Sequence, residues 1–121
     1  MTNITTVGLK DIEPIPLPNG SWSRMLVTDE SVPETVGSLG YSVFTPGTAT
    51  APVSHNVEEI AFVVSGHGEL RLEHGETSPF AAGQAIHIPA RIWHGVANTG
   101  DVDLVMVFGF PWPGYPPTEK K

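Results

Sequence analysis

The chain contains no cysteine. A disulfide scaffold, a thiolate zinc finger and a cysteine nucleophile are therefore excluded. Basic residues are scarce: six Lys and Arg stand against 13 Asp and Glu, for a net charge of −7, and no Lys/Arg cluster occurs. Phosphates need a basic face, so neither nucleic acid nor an anionic membrane surface is an expected partner. No apolar run approaches the roughly 18 to 20 residues of a membrane-spanning helix. The basic and apolar regions of a secretory signal are missing from the N-terminus, and the expectation is a soluble, cytoplasmic protein. No long segment shows a 3.6-residue period, and there is no internal repeat.

What the chain does have is punctuation. Its 121 residues suit one domain, and a hydrophobic content of 40% is enough for a core. The 13 glycines and 12 prolines are spread between short apolar runs, the pattern of an all-β domain. Residues 1–20, with "EPIPLPNG", read as an extended arm, 21–110 as the domain and 111–121 as a Pro-rich tail. Strands are predicted over 21–28, 39–45, 59–65, 69–73, 84–88, 93–97 and 102–110. Gly66-His67-Gly68 reads as the turn of a hairpin joining the third and fourth of these. The segment "VDLVMVFGF" is apolar on both faces, so both faces need a cover, one of them a second subunit. The tail stretch "PWPGYPP" is unable to continue a sheet.

Two short islands carry the chemistry: "PVSHNVEE" and "PARIWHGVAN". In the first, His55 lies four residues before Glu59, at the entry to a strand; in the second, His94 belongs to another strand. If Glu59 points inward, so do Ala61 and Val63, while Ile60, Phe62 and Val64 point away. Two imidazoles and a carboxylate converging inside a barrel are costly unless something binds them. A divalent ion satisfies all three, and two His plus one carboxylate is the facial triad of non-haem Fe(II) oxygenases.

These islands resemble the two cupin motifs. Gly47, His55, Glu59 and Gly66 match G-x5-H-x-H-x3-E-x6-G, and Gly83, Pro89, His94 and Asn98 match G-x5-P-x-G-x2-H-x3-N. Two positions depart: Val53 replaces the first histidine, and Arg91 replaces the glycine after the proline. The resemblance implies an antiparallel jelly-roll barrel and a homodimer acting on a small organic molecule. The implied metal site is His55, Glu59 and His94, holding Fe(II) first, or Mn, Ni or Zn. The loss of one ligand at Val53 leaves open a metal-free barrel that binds a sugar or metabolite. Reaction type is open between a dioxygenase and a redox-neutral isomerase, cyclase or lyase.

Further residues are candidates by position. His87 in "AIHIP" is an acid/base candidate if it faces the cavity, and strand parity leaves that open. Arg24, a rare mid-strand cation, is a candidate to hold an anionic group in the cavity. Tyr41, Phe44, Trp93 and Val53 are candidate pocket residues, with core packing the alternative for the aromatics. His67 and His74 sit in Gly-containing turns and are expected in solvent. Nothing resembles a phosphate loop or a serine nucleophile elbow.

Overall fold

The computed structural model describes residues 3–121, so the first two residues of the expected arm lie outside it. Among the described residues there is no α-helix, and regular structure is strand with three short 3₁₀ turns. The strands are β1 (Ile15–Pro16), β2 (Trp22–Val27), β3 (Ser38–Phe44), β4 (Val53–His55), β5 (Glu59–Ser65) and β6 (His67–Arg71). They are followed by β7 (Thr77–Ala81), β8 (Ala85–Ile88), β9 (Gly95–Asn98), β10 (Leu104–Phe110) and β11 (Thr118–Lys120).

One sheet has the order β1-β2-β3-β10-β5-β8. The other is built from β7-β6-β9 and from β11-β4, joined by backbone bridges Ala49–Ala97 and Val53–His94. Every strand pair is antiparallel. The two sheets face each other as a jelly roll, the architecture that the motif resemblance implied, and the all-β content agrees with the spacing of glycine, proline and apolar runs.

Alternation decides what faces inward. In β3, Ser38, Gly40, Ser42 and Phe44 are buried, while Leu39, Tyr41 and Val43 point outward. Phe44, Ala61, Val63, Leu70, Phe80, Ile88, Leu104 and Met106 form the core between the sheets. At Gly40 the ring of Phe108 occupies the space a side chain would take, so a larger residue there would have to displace that ring.

Several expectations are corrected. The predicted hairpin does not form: β5 pairs with β8 and β10, whereas β6 pairs with β7 and β9. The chain crosses from one sheet to the other at Gly66, which has φ +85°, and a Cβ there would lie 2.7 Å from the Asp103 carbonyl oxygen. Only glycine fits that corner. Strand β7 was not expected, since Pro79 interrupts its pattern; β7 is the outermost strand of its sheet, where proline is tolerated.

The two ends of the chain are tied down. Ile15 and Pro16 pair with Ser23 and Trp22. At the other end "PWPGYPP" makes no strand, but Thr118, Glu119 and Lys120 pair with His55, Ser54 and Val53. No helix among the described residues is long and apolar enough to cross a membrane.

Candidate metal centre

Strand β4 places His55 with only 4% of its surface exposed, directly opposite Thr118 on β11. His94 lies just before β9 and exchanges two backbone hydrogen bonds of 2.9 Å with Val53. That pairing sets the Val53 and His94 side chains on one face. Alternation along β4 adds His55 to it. Glu59 arrives from the facing sheet as the first residue of β5, opposite the buried Ile88.

The three side chains meet. Glu59 Oε1 lies 3.3 Å from His55 Nε2 and 3.4 Å from His94 Nε2. One potential ligand atom from each falls within 4.8 Å of the others. Both imidazoles are held from behind. His94 Nδ1 is 2.8 Å from the Ile92 carbonyl oxygen, which only accepts, so that nitrogen carries the hydrogen. His55 Nδ1 is 2.7 Å from Thr118 Oγ1, whose own proton goes to the Pro116 carbonyl oxygen at 2.8 Å. Both Nε2 atoms consequently point at the carboxylate: as lone pairs in the neutral rings, as hydrogen-bond donors when the rings are protonated.

Three acceptors converging in a buried space repel one another unless a cation or protons stand between them. The titration of the site reflects this. Burial works against charge on Glu59, but hydrogen bonds and charge from His55 and His94 outweigh it and lower its pKa below 4.5. Burial likewise opposes charge on His94, yet the hydrogen bonds to Glu59 and the Ile92 carbonyl raise its pKa above 6.5. Two imidazoles and one carboxylate, with donor atoms turned inward and hydrogens turned outward, fit a divalent transition ion.

An aromatic wall adjoins the site. The His55 ring meets Phe110 edge-on at 5.0 Å and Tyr115 at 5.4 Å between centroids, and Phe108 follows Phe110 at 5.9 Å. Desolvation raises the Tyr115 phenol above its usual pKa of 10.0; the charge on Glu59 adds to this, and hydrogen bonding with Thr118 partly opposes it. Tyr115 also lines an open cavity of about 810 Å³ between the arm, the segment after β2 and the tail. Ile12, Met25 and Trp112 contribute to that lining, with Glu13 and Asp29, and no Lys or Arg does. Tyr115 thus stands between this cavity and the His–Glu–His cluster.

Other sequence candidates lie elsewhere. His87 sits opposite Ile60 on the outer face and contacts Glu58 at 3.2 Å, both exposed, so it does not reach the cavity. Arg24 is turned outward too, over the Trp22 ring, and donates to the Leu9 and Ile12 carbonyl oxygens at 2.6 and 3.0 Å. Its Nη1 anchors the arm, while its buried Nε has no partner among the described residues. Tyr41 stacks on Trp22 on the same outer face. Phe44 is core, and Trp93 lies under Lys121 Nζ at 5.0 Å from its ring centroid. Phe110, Tyr115 and Thr118 were not among the sequence candidates. His67 is exposed against Gly100, and His74 is exposed in a turn with φ 62°.

Comparison with known proteins agrees with the geometry. The profile of the family described as "Cupin domain" matches residues 40–110. The polyketide synthase CurC of Streptomyces cyaneus is 37% identical over 103 residues, covering 84% of this chain and 66% of that protein. A 5-nitrosalicylic acid 1,2-dioxygenase of Bradyrhizobium sp. is 30% identical over 108 residues, covering 82% of this chain and 52% of that protein. The chain thus spans between about half and two thirds of the curated relatives it matches. Among solved structures, the polyketide cyclase RemF from Streptomyces resistomycificus superposes with a TM-score of 0.80 at 21% identity, over 98% of this chain and 85% of that one.

Proposed function

The chain belongs to the cupin domain family, and from that premise we propose that it is a metal-dependent enzyme acting on a small, oxygen-rich organic molecule, with cyclisation of a polyketide-like substrate as the leading reaction. The observation that carries the metal reading is the convergence of two imidazole Nε2 atoms on one largely buried carboxylate. Likeness to CurC and RemF supports the substrate class. A second reading, oxidative cleavage of a hydroxylated aromatic ring, is favoured by the likeness to the nitrosalicylate dioxygenase.

His55, Glu59 and His94 would hold the ion, Fe(II) first and Mn, Ni or Zn as alternatives. When bound, it supplies polarisation of a substrate carbonyl or, as Fe(II), redox chemistry with O₂. The protein's own part is more specific. Val53, on the ligand face, offers no donor, so a bound ion would have room there for substrate or water. Phe108, Phe110 and Tyr115 offer a planar molecule an apolar wall beside the reacting atoms. A Tyr115 phenol with raised pKa stays protonated at neutral pH and donates a hydrogen bond to an enolate or phenolate oxygen. A cavity lined by carboxylates and aromatics without Lys or Arg disfavours small polyanions and suits a neutral ketone or phenol.

We take the working form to be a homodimer. The outer face of the six-stranded sheet exposes Ile60, Phe62 and Val64 at 56%, 48% and 47%, beside Leu39 at 40%. A second copy offers the same flat apolar surface in return.

Metal content of anaerobically purified, untagged protein, compared with His94→Ala, tests the proposal. Near-stoichiometric transition metal that the variant loses is the expected result. A wild-type protein that stays metal-free after reconstitution with Fe(II), Mn(II), Ni(II) and Zn(II) would overturn it in favour of a metal-free binding module. With the loaded protein, oxygen uptake on hydroxybenzoates selects the dioxygenase, and ring closure of a linear polyketone without oxygen uptake selects the cyclase.

A further inference from the structure

Thr118 lies 63 positions from His55 in sequence, and the two side chains are 2.7 Å apart. We propose that Thr118 is a positioning residue for the metal centre: it fixes the tautomer of His55, so that the C-terminal strand β11 decides whether this imidazole is able to act as a ligand. The proposal deepens the metal reading above and rests on it for its functional meaning.

The argument is one of donor and acceptor counting. A threonine hydroxyl has a single proton. Here that proton is given to the Pro116 carbonyl oxygen at 2.8 Å, leaving Oγ1 able only to accept. With the hydroxyl proton placed there, His55 Nδ1 faces Oγ1 and supplies the hydrogen of their contact. A neutral imidazole with its hydrogen on Nδ1 has its lone pair on Nε2, the atom 3.3 Å from Glu59. Were the hydrogen on Nε2, it would bond the Glu59 carboxylate and close the ligand position.

The backbone makes this contact obligatory. Thr118 and His55 are register partners of β11 and β4, and Asn56 N donates to the Pro117 carbonyl oxygen at 3.2 Å one residue further along. The Pro116 carbonyl, two residues before Thr118, accepts its hydroxyl. The arrangement has a counterpart at His94, where the Ile92 carbonyl does the same for Nδ1 from within the same strand approach. One histidine is thus oriented by its own local backbone, and the other by a side chain from the far end of the chain.

The test compares Thr118→Val, which keeps the shape and removes the acceptor, with Thr118→Ser, which keeps it. Two readouts are taken: Zn(II) affinity by chelator competition, and the imidazole ¹⁵N shifts of metal-free protein at a pH where the rings are neutral. Thr118→Val is expected to weaken Zn(II) binding by about 10- to 100-fold, the usual cost of losing an outer partner of a metal-bound histidine. Its His55 hydrogen moves to Nε2, while Thr118→Ser matches wild type in both. Thr118→Ala carries the comparison if Thr118→Val does not fold. Wild-type affinity and tautomer in the Val or Ala variant, or equal losses in Ser and Val, would overturn the proposal. The ¹⁵N readout decides independently of metal: if the wild type binds no Zn(II), the metal reading fails, but a His55 hydrogen that follows the Thr118 hydroxyl still upholds the positioning role.

Discussion

At the scale of single residues, Val53 is the most informative position. Its backbone exchanges both hydrogen bonds with His94, and its side chain shares the face of His55 and His94. An imidazole at this point would share that face. Val53→His is expected to tighten divalent-metal binding at least about tenfold, or roughly 1.4 kcal/mol, measured by chelator competition. Unchanged affinity would mean that the face is not aimed as described. The titration of the triad gives a second residue-scale prediction. Glu59 is lowered below its ordinary 4.5, so its contribution to metal-free stability is present above pH 4.5 and lost as pH falls through the lowered value. His94 is raised above its ordinary 6.5, so its contribution is complete below pH 6.5 and lost as pH rises through the raised value. The metal-free protein should melt highest between about pH 4.5 and 6.5, read from melting temperature against pH in the presence of a chelator. Stabilisation by added metal should grow as pH rises past this window, because the ion needs the His94 lone pair that the proton occupies.

At the scale of elements, the spacing of His55, Glu59 and His94 was legible because two of the three share one short segment and all sit at fixed offsets from turn glycines. His87 was not, since its facing depends on the register Ile60–His87, which no local pattern specifies. The surroundings of Arg24 were hidden for a related reason: its partners are carbonyl oxygens of the arm, and composition carries no mark of them. Thr118, in a three-residue strand, lies 63 positions from the histidine it touches, so no short window of sequence contains both. The same distinction explains the missed corner at Gly66. A glycine between two strand-forming runs reads as a hairpin turn, and only the nearby Asp103 carbonyl shows that it moves the chain to the other sheet. Gly66→Ala is accordingly expected to destabilise by roughly 1 to 3 kcal/mol through positive φ and backbone overlap together, seen in chemical denaturation. A neutral Gly66→Ala would argue against so tight a corner.

At the scale of the whole molecule, strand β10 is apolar on both faces, as the reading of residues 102–110 anticipated, and the outer face around β5 is left exposed among the described residues. Val105 and Val107 lie there beside the exposed Ile60, Phe62 and Val64. Pairing two such faces removes them all from water. Phe62→Glu should convert a dimer to a monomer at micromolar concentration in sedimentation velocity without changing the metal-loaded melting profile of the barrel. A wild-type protein that sediments as a monomer would assign the face to another partner.

The triad also has a mechanical side. Glu59 belongs to one sheet, whereas His55 and His94 belong to the other. An ion held by all three is a rivet through both layers of the sandwich, and the layers are unable to slide apart while it stays in place. Its effect would then fall chiefly on how slowly the barrel opens, so the loaded protein would persist through heating or protease exposure for far longer than its gain in melting temperature suggests.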